Sequence, residues 1–112
     1  MASRQNKNEE DDESQNPGSP YYLHLGENPG LILVSPPLDG NNYHTWSRAM
    51  KCALLSKNKV KFIYGSIKTP GENEMLRDAW ERCNVMVISW LTRSMANQIA
   101  QSVLYIDNAR DL

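Results

Sequence analysis

The 112-residue chain is poor in the residues from which catalytic and metal sites are usually built. Its two histidines and two cysteines do not have the spacing of zinc ligands. The sequence also lacks a phosphate-binding glycine loop, a nucleophile elbow and a paired-histidine metal motif. We therefore expect no enzyme activity, no cofactor, no metal and no small-molecule substrate.

Long hydrophobic runs are missing as well. No stretch approaches the roughly 20 apolar residues needed to span a bilayer, and the N-terminus has no apolar signal-peptide core. We therefore expect a cytoplasmic protein with no membrane partner. Cys52 and Cys83 lie within apolar helical patterns, so we expect reduced thiols that pack as small hydrophobic side chains.

The first 20 residues contain no large apolar side chain after Met1, and residues 9–13 are five consecutive acids. Such a segment cannot bury enough apolar surface to offset the entropy of ordering its backbone, about 1–2 kcal/mol per residue. We predict a disordered acidic tail over residues 1–20. Residues 21–112 are predicted to form one folded domain.

Prolines interrupt the first apolar segment, residues 21–37. Asn28-Pro29-Gly30 predicts a turn, and Pro36-Pro37 ends the apolar run of residues 31–34. We interpret the segment as a short extended N-terminal arm packed against helices. A short strand is the alternative for residues 31–34.

Two segments have the apolar spacing of three and four residues that is typical of amphipathic helices. The first follows Asn41-Asn42, either of which can cap it, and fades at residues 56–58. The second begins at Asn73-Glu74 and ends near Met95. Tryptophans in such a pattern are more often core than partner surface. The predicted core consists of Tyr43, Trp46, Met50, Leu54, Trp80, Cys83, Val87, Trp90 and Leu91.

Shorter elements are predicted around these two helices. Residues 59–64 largely alternate apolar side chains with lysines, which favours a short extended stretch or a brief helical turn. Asn97 can cap a third helix, and Asp107-Asn108 can cap the first turn of a fourth. Because that turn is cut at Leu112, we expect a domain that is incomplete at its C-terminus. The fold class is therefore mainly α, a small helical bundle.

A family resemblance rests on the order and spacing of two sequence pieces. The first is Leu38-Asp39-Gly40-Asn41-Asn42-Tyr43 leading to Trp46, and the second is Trp80-Glu81-Arg82-Cys83-Asn84 leading to Trp90-Leu91. Over residues 21–112 the chain resembles the N-terminal domain of the Gag polyprotein of plant copia-type LTR retrotransposons. The resemblance implies a capsid-like helical module that joins other Gag copies and packages element RNA in the cytoplasm.

Three functional hypotheses follow besides an enzyme, which is the remotest. The leading one is a structural Gag module that associates with itself or with longer Gag copies. The second is a nucleic-acid-binding module that contacts RNA phosphates, and the third is an inert remnant of a decayed element. The cations that would contact RNA in the second hypothesis are Arg48, Lys57, Lys59 and Lys61.

Overall fold

Four helices and a short helical turn form the framework of this computed structural model, which describes residues 14–72, 74–103 and 106–112. The prediction of a mainly helical fold is confirmed, and no strand occurs within the described ranges. The elements are α1 Tyr43–Ser56, α2 Val60–Tyr64, α3 Arg77–Arg93, α4 Asn97–Ser102 and a 3-10 turn Ala109–Asp111.

Helix α1 begins and ends where its apolar spacing predicts. Trp46, Met50 and Leu54 recur every four residues, so they share one face, and all three are buried. Asn42 is the N-cap residue, but its side chain bonds outside the helix. Its Oδ1 accepts from the Asp39 amide at 3.0 Å, and its Nδ2 donates to the Pro37 carbonyl at 2.9 Å.

Tyr43 corrects the predicted core, because its side chain is 56 % exposed. The helical period places it on the same face as Trp46 and Met50. It is, however, the first residue of α1, where it lines the rim of a groove instead of the interior. Sharing a helix face is therefore not enough for burial at a helix end.

Helix α3 is shorter than its apolar pattern predicts. Regular helix begins at Arg77, and the preceding turn is closed by a bond from the Arg77 amide to the Glu74 carbonyl at 3.1 Å. Asn73, the other predicted starting residue, lies outside the described residues. The buried residues of α3 are Ala79, Trp80, Cys83, Asn84, Val87, Trp90 and Leu91.

All three tryptophans lie in the interior. The indole Nε1 of Trp46 donates to the Ser94 carbonyl at 2.7 Å, and that of Trp90 donates to the Asn28 carbonyl at 2.8 Å. These bonds satisfy polar groups that would otherwise be buried without a partner. The tryptophans therefore join α1 and α3 to each other and to the N-terminal segment.

The proline-rich segment runs along the helices without forming a strand. Val34 is buried, and its amide donates to the Ser94 hydroxyl at 3.3 Å. Leu38 then forms an isolated parallel bridge with Met95. The prediction of an extended arm therefore describes this segment better than the short-strand alternative.

The predicted tail falls into two parts. Residues 1–13, including the acidic run, lie outside the described residues. Residues 16–20 form turns, in which the Ser19 amide donates to the Asn16 carbonyl at 2.8 Å. Ser19 is buried, and the Asn58 side chain donates to the Gly18 carbonyl at 3.1 Å. Contacts with the rest of the folded domain thus begin before the predicted boundary at residue 20.

Of the two alternatives for residues 59–64, the brief helical turn forms as α2, which buries Phe62. Gly65 ends α2 with φ of +72°, a left-handed conformation that glycine adopts without strain. Near the C-terminus the Asn108 side chain accepts from the Arg110 amide at 3.2 Å, so the predicted cap starts a 3-10 turn. Among the described residues, no helix has both the length and the apolar character needed to cross a membrane.

Replacing Trp90 tests its place in the core. We expect Trp90→Ala to lower the free energy of unfolding by roughly 3–5 kcal/mol, because it empties a fully buried site. Trp90→Phe keeps most of the ring but loses the donor to Asn28, so its cost should be smaller, about 1–3 kcal/mol. Urea unfolding followed by circular dichroism measures both. Equal stability of the wild type and Trp90→Ala would contradict the assignment.

Candidate functional site

The junction between α1 and α2 directs two lysines toward the N-terminal segment. Asn58 has φ of +58°, a left-handed conformation that asparagine tolerates better than most residues. The Lys59 amide then donates to the Leu54 carbonyl at 2.8 Å, which closes the turn. As a result, the amino groups of both Lys57 and Lys59 reach residues of the segment that precedes α1.

Lys59 is a buried cation held by main-chain oxygens. Its Nζ donates to the Tyr22 carbonyl and, at 3.4 Å, to the Lys57 carbonyl. Burial lowers the pKa of Lys59 below its ordinary value, while the nearby Cys83 and Glu27 act in the opposite direction. A buried ammonium group needs such acceptors, so the Tyr22 carbonyl is part of its binding site.

Lys57 holds the same segment through an ion pair. Its Nζ contacts both carboxylate oxygens of Glu27, at 3.0 and 3.3 Å. The same Nζ lies 5.1 Å from the centroid of the Trp90 ring, within the range of a cation–π contact. Because both side chains of the pair are mostly covered, the pair is less screened by solvent than an ordinary surface ion pair.

Cys83 and Cys52 have different surroundings, although we predicted the same packing for both. Cys83 is fully buried on α3, and its Sγ donates to the Tyr21 carbonyl at 3.3 Å. Burial raises the pKa of its thiol. Cys52 lies on the exposed side of α1, so its predicted packing as a small core residue is wrong. Neither thiol is in a disulfide.

These contacts define a binding site for residues 16–30, which we call the arm and which overlap only the first part, residues 21–30, of the predicted extended segment. The site consists of hydrogen-bond donors from the α1–α2 junction and from α3, and most of them bond to main-chain carbonyls of the arm. We call this set the donor row, and it comprises Lys57, Asn58, Lys59, Cys83 and Trp90. Its chemistry is suited to holding an extended peptide segment, because most of its contacts do not depend on the segment's side chains.

The four cations predicted to contact RNA do not form one exposed patch. Arg48 and Lys61 are exposed, but Lys59 is buried and Lys57 is paired with Glu27. The physical reason is the turn at the α1–α2 junction. In the alternative prediction of an extended stretch over residues 59–64, the lysines would have faced water. Sequence reasoning missed the arm contacts because a main-chain acceptor leaves no signal in the sequence.

An apolar groove of about 230 Å³ lies between α1, α2 and the 3-10 turn. Tyr43 and Tyr64 line it and are 56 % and 59 % exposed. The Lys51 Nζ lies 5.9 Å from the centroid of the Tyr64 ring. Other lining residues, among them Trp46, Met50 and Leu91, belong to the core, so the groove opens directly onto the interior.

A second groove, of about 450 Å³, runs along α4 and the end of α3. Its apolar lining residues include Ile32, Ile88, Met95, Ala100 and Val103. Within the described residues, no group of three or more histidine, cysteine, aspartate or glutamate side chains could hold a metal ion. Neither groove therefore contains such a metal-binding group.

The two thiols should react at different rates. We expect Cys52 to react quickly with a disulfide reagent, whereas Cys83 should react only after unfolding, since it is buried and its raised pKa leaves little thiolate. Absorbance of the released thiolate measures both, before and after addition of urea. Cys52→Ser is the control and should remove the fast phase. Fast reaction of both thiols in the wild type would show that the arm does not cover Cys83.

The pH dependence of stability should reveal Lys59. Between its lowered folded pKa and 10.5, the unfolded chain binds more protons, so this contribution to the free energy of unfolding rises as the pH approaches 10.5. Cys83 acts oppositely above pH 9.0, because its folded pKa is raised. We therefore expect the free energy of unfolding of the wild type, measured relative to that of Lys59→Met, to increase as the pH rises toward 10.5.

Urea unfolding of both proteins at each pH measures this difference. Lys61→Met is the matched control, because Lys61 is an exposed lysine two positions away, and it should not change the pH dependence. A constant difference between the wild type and Lys59→Met across this range would contradict the burial of a charged Lys59.

Comparison with known proteins gives one family match. Residues 24–71 match the model of a family described as the Gag-polypeptide of LTR copia-type. The match covers residues 24–30 of the arm, the segment from there to α1, α1 itself, α2 and the loop that follows, and it confirms the resemblance over that range. The Trp80 to Leu91 signature lies outside it. No curated protein and no solved structure matches the chain. The match supports a retrotransposon Gag role.

Proposed function

We propose that the chain is a non-enzymatic structural module of a retrotransposon Gag protein, which associates with other Gag copies. The observation that carries this proposal is the family match over residues 24–71. The matched range contains Glu27, Lys57 and Lys59 of the arm contacts, together with Tyr43 and Tyr64 of the apolar groove. Both surfaces that a partner could use therefore draw on the matched part.

The apolar groove is the surface through which we propose that copies associate. Interfaces are enriched in aromatic side chains, and their most important residues insert into well-packed pockets. Tyr43 and Tyr64 expose more than half of their surface at the rim of such a pocket. The Lys51 Nζ lies 5.9 Å from the centroid of the Tyr64 ring, and a cation–π contact at this distance would favour one orientation of the ring and lower the entropy cost of binding.

Self-association is favoured over RNA binding because of where the cations lie. Phosphate binding requires amino groups that are free to replace counterions. Lys57 is engaged by Glu27, and Lys59 donates to the Tyr22 carbonyl inside the protein. The predicted RNA patch therefore retains Arg48 and Lys61 as its exposed members, which is a small electrostatic footprint.

The test compares two exposed residues that differ in position. We expect Tyr64→Ser to weaken self-association about tenfold or more, since it removes an aromatic side chain from the rim of the groove. Leu55→Ser is the matched control, because Leu55 is 66 % exposed but does not line the groove. Sedimentation velocity over a range of concentrations measures the association, and circular dichroism verifies that both variants fold.

Two results would contradict the proposal. One is a wild-type chain that stays monomeric at high concentration and also fails to bind longer Gag copies. The other is an equal loss of association in Tyr64→Ser and Leu55→Ser, which would show that the groove is not the contact surface.

A further inference from the structure

We infer that the arm of one copy can dock on the donor row of a second copy, so that two copies exchange their arms. This inference rests on the proposed association of Gag copies and names a second surface by which they join. The partner is another copy of this chain, and the binding segment is its residues 16–30. Exchange of identical elements between protomers is a known route to dimers.

The arm contacts are mainly hydrogen bonds to main-chain carbonyls. The donors Asn58, Lys59 and Trp90 bond to the main-chain carbonyls of residues 18, 22 and 28. Each contact joins residues that are 37 to 62 positions apart in the chain. The fold brings these residues together, because they are far apart in the sequence. An arm from a second copy presents the same carbonyls, so exchange replaces each contact with an identical one.

An empty donor row is energetically unfavourable. Lys59 is buried, and the Tyr22 carbonyl is one of its acceptors. The Trp90 Nε1 likewise has the Asn28 carbonyl as its acceptor. A departing arm would break both bonds and uncover the core residues against which Tyr21 and Leu23 pack, which is unfavourable. The donor row therefore needs an arm at all times, its own or that of another copy.

The chain contains a short segment that can act as the hinge for this exchange. Residues 29–33 lie between two anchored positions, Asn28 at the Trp90 indole and Val34 at the Ser94 hydroxyl. Here the chain turns through bonds from the Gly30 amide to the Asn28 side chain at 2.7 Å and from the Leu31 amide to the Asn28 carbonyl at 3.1 Å. Both amides belong to exposed residues, so water can replace these bonds when the turn opens.

When the hinge opens in a pair of copies, its exposed aliphatic side chains can become covered. Leu31 is exposed, and Ile32 is 66 % exposed beside the groove along α4. In an exchanged pair the two hinges run past each other, so these aliphatic side chains can cover one another. Removing apolar surface from water favours the pair over two single copies. The exposed hinge residues thus provide a driving force that single copies lack.

Arm exchange and the apolar groove are separate surfaces. No residue of the arm is among those that line the groove. A reciprocal exchange closes on itself and gives a two-fold dimer, and a further contact is needed to join dimers into larger assemblies. The groove of each copy remains available for that contact. One surface would therefore make the dimer, and the other would link dimers.

The Glu27–Lys57 ion pair allows a direct test in the wild-type chain. A carbodiimide condenses the Glu27 carboxylate with the Lys57 amine, forms an amide bond and takes up the released water as a urea. Unlabelled and ¹⁵N-labelled chains are refolded together at high concentration and cross-linked. The dimer is isolated by size-exclusion chromatography, and its digested peptides are weighed by mass spectrometry.

We expect about half of the Glu27–Lys57 links in that dimer to join a light chain to a heavy chain, as random pairing of exchanged arms requires. Links only within light or within heavy chains would overturn arm exchange. That result would leave the proposed function standing, because the dimer would then form by another surface.

Charge reversal provides an independent test. Glu27→Lys and Lys57→Glu each place like charges between an arm and its own body. In a mixed pair with exchanged arms, both ion pairs are of opposite charge again. We expect the equimolar mixture to form a heterodimer at a concentration at least tenfold below that at which either variant associates alone. Mass photometry measures the species.

The double variant Glu27→Lys/Lys57→Glu is the matched control, because it carries the reversed pair within one chain. A mixture that contains no heterodimer, while the double variant folds, would overturn arm exchange. A heterodimer in the mixture together with a strictly monomeric wild type would show that the donor row accepts the arm of another chain, but it would overturn both arm exchange between wild-type copies and the proposed self-association. The failures of the two proposals are thus distinguishable.

Discussion

The end of α3 is where a single residue connects three parts of the chain. A helix end leaves carbonyl groups without helical partners, and a buried helix end needs donors from elsewhere. The Ser94 carbonyl accepts from the Trp46 indole at 2.7 Å and from the Leu38 amide at 2.9 Å. Its hydroxyl accepts from the Val34 amide at 3.3 Å. Ser94 is fully buried, so α1 and the segment before it take their positions from these bonds.

The donor row repeats this arrangement with the donors and acceptors exchanged. There the buried donors belong to the body, and the acceptors belong to the arm. The structure therefore places its polar contacts between segments, while the apolar side chains of α1 and α3 fill the space between the helices. Association of copies through the groove leaves these contacts in place, and exchange of arms reproduces them in a second copy.

Periodicity predicted the main helices because apolar spacing reports which side of a helix is buried. The buried positions of Trp46, Trp80 and Trp90 agree with that reading. Spacing does not report where the end of a helix extends beyond the elements packed against it. It therefore wrongly predicted that Tyr43, the first residue of α1, is buried. The same spacing places Cys52 about 200° around α1 from the buried Met50, so its exposure agrees with the helical period, and the prediction of core packing for Cys52 did not follow that period.

The lysines show a second limit of the sequence. Whether Lys57 and Lys59 face water depends on the left-handed turn at Asn58 and on an arm about 30 residues away. Residues so far apart in the chain leave no local pattern. The sequence patterns drew attention to Lys57, Lys59, Cys83 and Trp90, but as RNA contacts or core residues. They did not predict that these side chains meet at the arm.

Recognition of main-chain atoms has a consequence for how the two sides of the arm contact can change in evolution. Most side chains of the arm can be replaced without removing a carbonyl, whereas loss of Lys59 or Trp90 removes a donor. Substitutions should therefore accumulate faster in the arm than in the residues that hold it. Under the proposed arm exchange, copies that have diverged in their arm sequences would keep the ability to dock on one another, so mixed assemblies would remain accessible long after the sequences have drifted apart.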